Sequence, residues 1–365
     1  MLVESRVEHC SAFIIRSVGM HIFWDFTKHC NLNCIHCYNA KDREIGAEDS
    51  TLKSQLELID SLCERYPRST LHFLGGEPLI SPNFSTVFEY AHNKGFKLEV
   101  TTNGTVSNPK LVDLVATHSR TIHLSLDSTS REINDKIRGR NVFNKVEKFL
   151  SLIRKYNYLG RINLSFTLTK LSIMETDALV EYCLKNGILH LTISPIKLLG
   201  NATITSDSLA ISAGEYITFV TKLSKRSLGE RIDIRVTGGS MRLKEHIKWN
   251  YYTDIVSVEK GCNAGTGQLR ISWDGVISPC IMANGSNTFA SSSKWRAETG
   301  SDIVRIVNSH EFDSFSKTAK NITQTEMPNI CISCEYHSTG DCFAGCGIQK
   351  EYGSAKICEE LKGMY

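Results

Sequence analysis

Three cysteine thiols lie close together near the start of the chain. Cys30, Cys34 and Cys37 have the spacing C-x3-C-x2-C, and His36 directly precedes the third. Cysteine thiolates hold soft metal centres, iron–sulfur clusters above all. Three thiolates on a [4Fe–4S] cluster would leave one iron open to a ligand that is not a protein side chain. The alternative is a structural zinc site, for which His29 or His36 would supply the fourth ligand.

A second group of cysteines follows residue 260. Four of them are spaced C-x2-C-x7-C-x3-C, a pattern of thiols that fits zinc knuckles and could also hold an iron–sulfur cluster. The sequence has 13 cysteines and lacks the basic head and apolar core of a secretion signal, which favours metal binding in a reducing, cytoplasmic compartment. The group consists of Cys262, Cys280, Cys331, Cys334, Cys342, Cys346 and Cys358.

The composition is that of an ordinary globular protein, with 41% hydrophobic and 22% charged residues. A length of 365 residues allows one large domain and a smaller one. The net charge of +3 gives no electrostatic reason to expect nucleic acid or an acidic membrane as a partner. No apolar run reaches the length needed to span a bilayer.

Strand and helix patterns alternate through the first two thirds of the chain, which predicts an α/β fold with a parallel sheet and right-handed crossovers. The predicted strands are His21–Thr27, Leu71–Leu74, Lys97–Thr102, Thr121–Leu126, Arg161–Thr169 and Ile188–Ser194. The predicted helices are Thr51–Tyr66, two that start at Ser81-Pro82 and Asn108-Pro109, Val142–Tyr156, Ala178–Lys185, and one from about Ser212 with a Ser212…Glu215 capping box.

Three regions follow from this pattern. Residues 1–228 form the strand–helix domain, and residues 262–365 form a cysteine-rich domain. Residues 229–261 are less regular and connect these two domains. In parallel sheets, catalytic and ligand-binding residues lie at the carboxyl ends of the strands. The segment Cys30–Cys37, called the cysteine loop below, follows the first strand. Three polar turns, Gly75–Pro78, Thr102–Gly104 and Ser125–Asp127, follow the next three strands, so we expect all four segments to surround one opening, the mouth of the barrel.

These motifs, in this order, resemble the radical S-adenosylmethionine (radical SAM) enzymes, and the C-terminal cysteines resemble the SPASM-domain branch of that superfamily. The resemblance implies a partial (β/α)6 TIM-like barrel followed by a SPASM domain. It also implies a [4Fe–4S] cluster whose open iron binds S-adenosylmethionine (SAM). One-electron reduction would then split SAM into methionine and a 5′-deoxyadenosyl radical that abstracts hydrogen from the substrate.

The same resemblance implies roles for individual residues. Cys30, Cys34 and Cys37 would hold the catalytic cluster. The turn Gly75-Gly76-Glu77-Pro78 would contact the SAM amino group, with Glu77 receiving the ammonium. The remaining SAM contacts implied are His36 beside the adenine, Asn103, Ser125, Asp127, and Arg138 on the carboxylate.

Two auxiliary clusters are implied as well. Cys331, Cys334, Cys342 and Cys358 would hold one [4Fe–4S] cluster completely. Cys262, Cys280 and Cys346 would hold a second, whose fourth ligand the sequence does not identify.

The implied activity is oxidative modification of a peptide or protein, such as thioether or carbon–carbon crosslinking of a ribosomal peptide. The alternatives are a radical SAM enzyme that alters a small molecule such as a tetrapyrrole side chain, and a zinc-stabilised binding protein. Sulfatase maturation is less expected, because Ile281 stands where those enzymes have an aspartate.

The implied partners are the peptide or protein substrate and an electron donor such as flavodoxin or ferredoxin. Only 29 residues precede Cys30, so a leader-peptide-binding protein, if one is needed, would be separate.

Overall fold

A computed structural model describes residues 19–40, 48–258, 263–281, 296–297, 300–310, 312–313, 329–339, 342 and 354–362. Two of the predicted cluster ligands, Cys262 and Cys346, lie outside the described residues.

Nine strands of the described chain form one sheet. They are β1 (His21–Thr27), β2 (Thr70–Gly75), β3 (Lys97–Thr102), β4 (Ser119–Ser125), β5 (Ile162–Leu168), β6 (His190–Pro195), β7 (Asp233–Val236), β8 (Gln268–Ile271) and β9 (Ile277–Ser278). Their spatial order is β7-β6-β5-β4-β3-β2-β1-β8-β9, and every neighbouring pair is parallel except β8 with β9.

Helices follow the strands as a right-handed α/β alternation requires. The first six helices are α1 (Leu52–Arg65), α2 (Phe84–Asn93), α3 (Pro109–His118), α4 (Arg131–Arg138), α5 (Val142–Lys155) and α6 (Thr176–Asn186). The rest are α7 (Ser206–Leu209), α8 (Ala213–Ser227), α9 (Met241–Tyr251), α10 (Gly300–Val307), α11 (Asn329–Ile332), α12 (Glu335–Ser338) and α13 (Ser354–Lys362). Short 3-10 turns cover Pro78–Ile80, Leu159–Arg161 and Gly200–Thr203. None of the described helices is long and apolar enough to cross a membrane.

The six predicted strands are confirmed, and the α/β fold with its mostly parallel sheet is that of a partial TIM-like barrel. Two of the predicted helix starts are also confirmed. Asn108 accepts a hydrogen bond from the Lys110 N–H (3.0 Å), and Ser212 forms the capping box with Glu215. The start at Ser81 is wrong. Ser81 ends the 3-10 turn, and α2 begins after Asn83, because Pro78 already starts a helical turn directly behind β2.

The sheet continues beyond residue 228. Strand β7 pairs with β6, and helix α9 follows, so residues 229–261 contain regular structure that their weak periodicity did not reveal. Strand β8 pairs with the other side of the barrel, next to β1. There Arg270 Nε donates to Asp25 Oδ2 (2.6 Å) and both side chains are buried. The C-terminal region therefore begins as part of the barrel sheet, and its division into domains stays a prediction.

Alternate residues of each strand serve two different surfaces. One set is apolar and packs under the helices; in β1 it is Ile22, Trp24 and Phe26, all essentially buried. The other set is mostly polar, with Phe23 an exception in β1, and faces the interior of the barrel, where side chains from neighbouring strands meet. His72 of β2 and His123 of β4, for example, stack with ring centroids 4.7 Å apart. The interior is thus a polar chamber beneath the strand ends.

Candidate active site

The cysteine loop leaves β1 and is fixed by backbone hydrogen bonds from distant parts of the chain. The Ile35 N–H donates to the Ile137 carbonyl (3.0 Å), and the Asn201 N–H donates to the Cys37 carbonyl (2.9 Å). Asn201 also donates through Nδ2 to the Cys34 carbonyl (3.1 Å). The loop is therefore held between the end of α4 and the turn that follows β6.

All three loop cysteines line one cavity of about 310 Å³ at the carboxyl ends of the strands. Ten of the twelve residues predicted for the barrel site line this cavity; Pro78 and Asp127 do not. Their placement around one mouth agrees with the prediction, while their individual roles stay predictions. The ten are Cys30, Cys34, His36, Cys37, Gly75, Gly76, Glu77, Asn103, Ser125 and Arg138.

Sequence reasoning missed the contribution of β5 and β6 to this cavity. Thr167, Ser194 and Lys197 line it, and so does Thr101 of β3. Each lies at or just beyond the interior-facing end of a predicted strand, so the rule applied to strands one to four would have found them. Asn201 had no comparable signal, because its contacts with the cysteine loop span more than 160 residues.

The two glycines after β2 allow that strand end to touch the cysteine loop. The Gly76 N–H donates to the Thr27 carbonyl (2.7 Å), and the Glu77 N–H donates to the His29 carbonyl (2.8 Å). Gly75 has φ +113°, and a Cβ on Gly76 would lie 1.9 Å from the His29 oxygen. Glycine is thus required here by the approach of two backbone segments, in addition to any approach to a ligand.

Replacing Gly76 by alanine should displace the cysteine loop. The added methyl group would collide with the His29 backbone, which has no flexible end to move. We expect a lower melting temperature and poor incorporation of iron during anaerobic reconstitution. Gly160→Ala is the matched control, because its new Cβ meets nothing within 4 Å. Equal iron content in the two variants would contradict this account of the turn.

Glu77 is buried and holds the next turn. Its carboxylate accepts hydrogen bonds from Thr102 Oγ1 (2.8 Å), the Asn103 N–H (2.7 Å) and the Leu79 N–H (3.2 Å). Burial raises the pKa of Glu77 to about 7, although these donors oppose the shift. Asn103 in turn donates to Asn31 Oδ1 (2.9 Å) and lies 3.9 Å from Cys30 Sγ. Glu77 therefore positions the polar side chain that contacts the cysteine loop.

Asp127 lies behind the cavity wall and contacts two of the side chains that line the cavity. Its carboxylate lies 2.8 Å from His36 Nε2 and 2.5 Å from Arg138 Nε, and it is fully buried. Burial alone would raise the pKa of Asp127, but Arg138 and His36 hold that pKa well below its usual range. The Asp127 carboxylate is therefore a fixed negative charge. It orients the imidazole and the guanidinium instead of facing the cavity itself.

The donor set fits a thiolate-held cluster with a polar ligand beside it. Three thiols line one cavity, and burial raises the pKa of Cys34 to about 12, a shift that a bound cation such as iron would oppose. His36 Nδ1 is buried at the cavity wall without a hydrogen-bond partner among the described residues. Burying a polar atom in this way is unfavourable unless a bound group supplies its hydrogen-bond partner.

The described C-terminal cysteines also converge. Burial and the neighbouring thiols of Cys358, Cys342 and Cys334 raise the pKa of Cys331 to about 11. Helix α13, which carries Cys358, packs against α11, α8 and α9. The four predicted ligands of one auxiliary cluster therefore lie near one another, on the side of the chain where α8 and α9 pack.

Cys280 lies at a different place, next to the active cavity. The adjacent residue, Ile281, forms part of the cavity wall, and Gln268 Nε2 lies 3.9 Å from Cys280 Sγ. The strand pair β8–β9 brings this segment to the mouth, because β8 is hydrogen-bonded to β1.

The model of the radical SAM superfamily matches residues 24–183, the part of the chain that carries the end of β1, the cysteine loop and β2 to β5. This part of the chain is a radical SAM domain, of the family of enzymes that catalyse SAM-dependent radical reactions. An AdoMet-dependent heme synthase of Methanosarcina barkeri is 25% identical over 270 residues, covering 71% of this chain and 76% of that protein. Mycofactocin maturase MftC of Mycobacterium tuberculosis is 29% identical over 220 residues, covering 60% of this chain but only 54% of that protein.

Among solved structures, Streptococcus suis SuiB bound to its precursor peptide SuiA has a similar fold. The TM-score is 0.66 at 17% sequence identity, over 91% of this chain and 72% of the SuiB chain. The shared architecture confirms the fold class.

Proposed function

We propose that this radical SAM enzyme oxidatively modifies a side chain of a peptide or protein, with auxiliary iron–sulfur clusters in a SPASM-type C-terminal domain. Cys30, Cys34 and Cys37 would hold the catalytic cluster. When bound, cluster and SAM supply one-electron cleavage of the C5′–sulfur bond and hydrogen abstraction from the substrate. The protein's own residues would bind and orient SAM and the substrate, and they would exclude water from the site.

The roles of the surrounding residues follow from their contacts. Arg138 is held by Asp127 with its guanidinium at the cavity wall, where it would pair with the SAM carboxylate. His36, held by the same carboxylate, presents its unpaired Nδ1 to the cofactor. Asn103, fixed through Glu77, faces the cysteine loop beside the SAM site.

The observation that carries the proposal is the position of Cys280. A C-terminal cysteine stands one residue from the wall of the cavity that the catalytic cysteines line. A cluster held there would lie close enough to the substrate to bind it or to accept an electron from it. The convergence of Cys331, Cys334, Cys342 and Cys358 supports a second, more remote cluster.

The size of the cavity favours a peptide over a macrocycle. About 310 Å³ is near the lower end for ligand pockets, and SAM would take much of that space. A peptide needs room for one inserted side chain, whereas a tetrapyrrole must bring a rigid ring to the mouth. MftC, a maturase, and the SuiB–SuiA complex support the same substrate class. The match to a heme synthase keeps tetrapyrrole modification as the second candidate.

Deuterium transfer tests the substrate class. Reconstituted enzyme, SAM and reductant are incubated with uniformly deuterated peptides encoded beside the gene, or with an iron tetrapyrrole deuterated on its propionate chains. Mass spectrometry then measures deuterium in the 5′-deoxyadenosine. We expect label from a peptide and none from the tetrapyrrole; the reverse would overturn the proposal. A folded Cys280→Ala variant should still transfer deuterium but release little modified peptide, because the auxiliary site acts after hydrogen abstraction.

A further inference from the structure

A cluster of imidazole and carboxylate groups lies inside the barrel, away from both sets of cysteines. His21, His72 and Glu99 come from the neighbouring strands β1, β2 and β3, and one ligand-type atom of each lies within 4.8 Å of the others. His21 Nε2 is 3.4 Å from His72 Nδ1, and Glu99 Oε2 is 3.8 Å and 3.7 Å from these two atoms. Nothing in the radical SAM chemistry described above uses these groups.

We propose that His21, His72 and Glu99 bind a divalent zinc ion through His21 Nε2, His72 Nδ1 and Glu99 Oε2. Two histidines, one glutamate and an open fourth position form a common zinc donor set. Tetrahedral bonds of about 2.0–2.1 Å place ligand atoms ~3.4 Å apart. An octahedral iron site with the same three ligands and bonds of similar length would bring them to roughly 3.0 Å. The observed spacings of 3.4–3.8 Å fit the tetrahedral geometry better.

The surrounding contacts prepare these atoms for a metal. His72 Nε2 lies 2.8 Å from Thr101 Oγ1, which directs the lone pair of Nδ1 toward the cluster when Nε2 carries the proton. His123 Nε2 lies 3.2 Å from Glu99 Oε2 and orients that carboxylate. Such partners of metal ligands are typical of built sites.

The charge states also suit a cation. Burial lowers the pKa of His72 well below its usual value and lowers that of His21, so both rings are neutral and free to ligate. Burial disfavours ionisation of Glu99, but His123 and His21 lower its pKa overall, so it is a carboxylate.

The position of the cluster suggests what the ion does. It would link three adjacent strands one layer below the active cavity, since Thr101 both contacts His72 and lines that cavity. His21 is 36% exposed, which provides a route for the ion from the opposite end of the barrel. The zinc would therefore cross-link β1, β2 and β3 beneath the cavity that is proposed to hold SAM.

Zinc binding by the holoenzyme tests the proposal. Enzyme already reconstituted with iron and sulfide is titrated with ZnCl₂ by calorimetry, and zinc X-ray absorption gives the ligand distances. We expect one additional zinc per chain with nitrogen and oxygen ligands at about 2.0–2.1 Å, and no sulfur at about 2.3 Å. Zinc should also raise the melting temperature of the wild type.

Variants separate this site from adventitious binding. Glu99→Gln keeps the side-chain shape and should weaken zinc binding by ~100-fold or more, and His123→Phe by ~10–100-fold. His190→Ala is the matched control, because His190 pairs with Asp233 elsewhere on the sheet (3.3 Å) and should leave binding unchanged. Equal zinc affinity in Glu99→Gln and His190→Ala, sulfur-only ligation, or no zinc uptake by the wild type would each overturn the proposal. None of these outcomes depends on SAM cleavage.

Discussion

Replacing Cys34 by alanine should reduce the formation of 5′-deoxyadenosine from SAM to background. Cys34 is the buried member of the three loop cysteines, and its Sγ lies 3.7 Å from the Arg138 carbonyl. Without its thiolate the catalytic cluster would be held by two ligands only, so we expect loss of that cluster as well as of activity. Cys30→Ala and Cys37→Ala should have the same effect.

The measurement is 5′-deoxyadenosine by chromatography and mass spectrometry, together with iron per chain after reconstitution. Cys63→Ser serves as the control, because Cys63 lies on α1 and contacts the Lys94 carbonyl (3.6 Å) far from the loop. It should match the wild type in both quantities. Undiminished SAM cleavage by Cys34→Ala would refute the assignment of the cluster site.

Removing the Asp127 carboxylate should have the largest effect on stability. Asp127→Asn leaves the buried Arg138 cation without its counter-ion, and loss of one partner of a buried pair costs ~3–5 kcal/mol in the free energy of unfolding. The same change frees Arg138 and His36 from their fixed orientations, so SAM cleavage should also fall. Asp113→Asn, on the exposed face of α3, is the control.

The pH dependence gives this prediction a second readout. The pKa of Asp127 is lower in the folded chain than the ~3.9 of an unfolded aspartate, so the unfolded state binds more protons in acid. Its stabilising contribution is therefore complete above about pH 5 and is lost as the pH falls through and below ~4. Thermal unfolding of the wild type and Asp127→Asn should differ most near pH 7 and converge in acid. A constant difference across that range would contradict the ion-pair account.

The sequence predicted the features that depend on neighbouring residues. The cysteine spacing, the six strands, and the cavity position of Gly75, Gly76, Asn103 and Ser125 all follow from periodicity and from the rule for strand ends. The interpretation of Asp127 changed, because its contacts with His36 and Arg138 join elements that sequence spacing cannot relate. The structure instead makes it a positioning residue behind the cavity.

Features set by long-range pairing were less predictable. Strand β7 is only four residues long, and β8 returns to β1 from more than 240 residues away. Neither has enough local pattern to reveal its partner. The histidine cluster was hidden for the same reason, since His21, His72 and Glu99 come together only when the register of three strands is known.

The most direct test of the account is the reaction of the wild-type enzyme with SAM and a one-electron reductant under anaerobic conditions. We predict equal amounts of 5′-deoxyadenosine and methionine, and about ten to twelve irons per chain if all three proposed clusters are present. Protein that carries zinc but no iron after reconstitution, and that leaves SAM intact when reduced, would contradict the account.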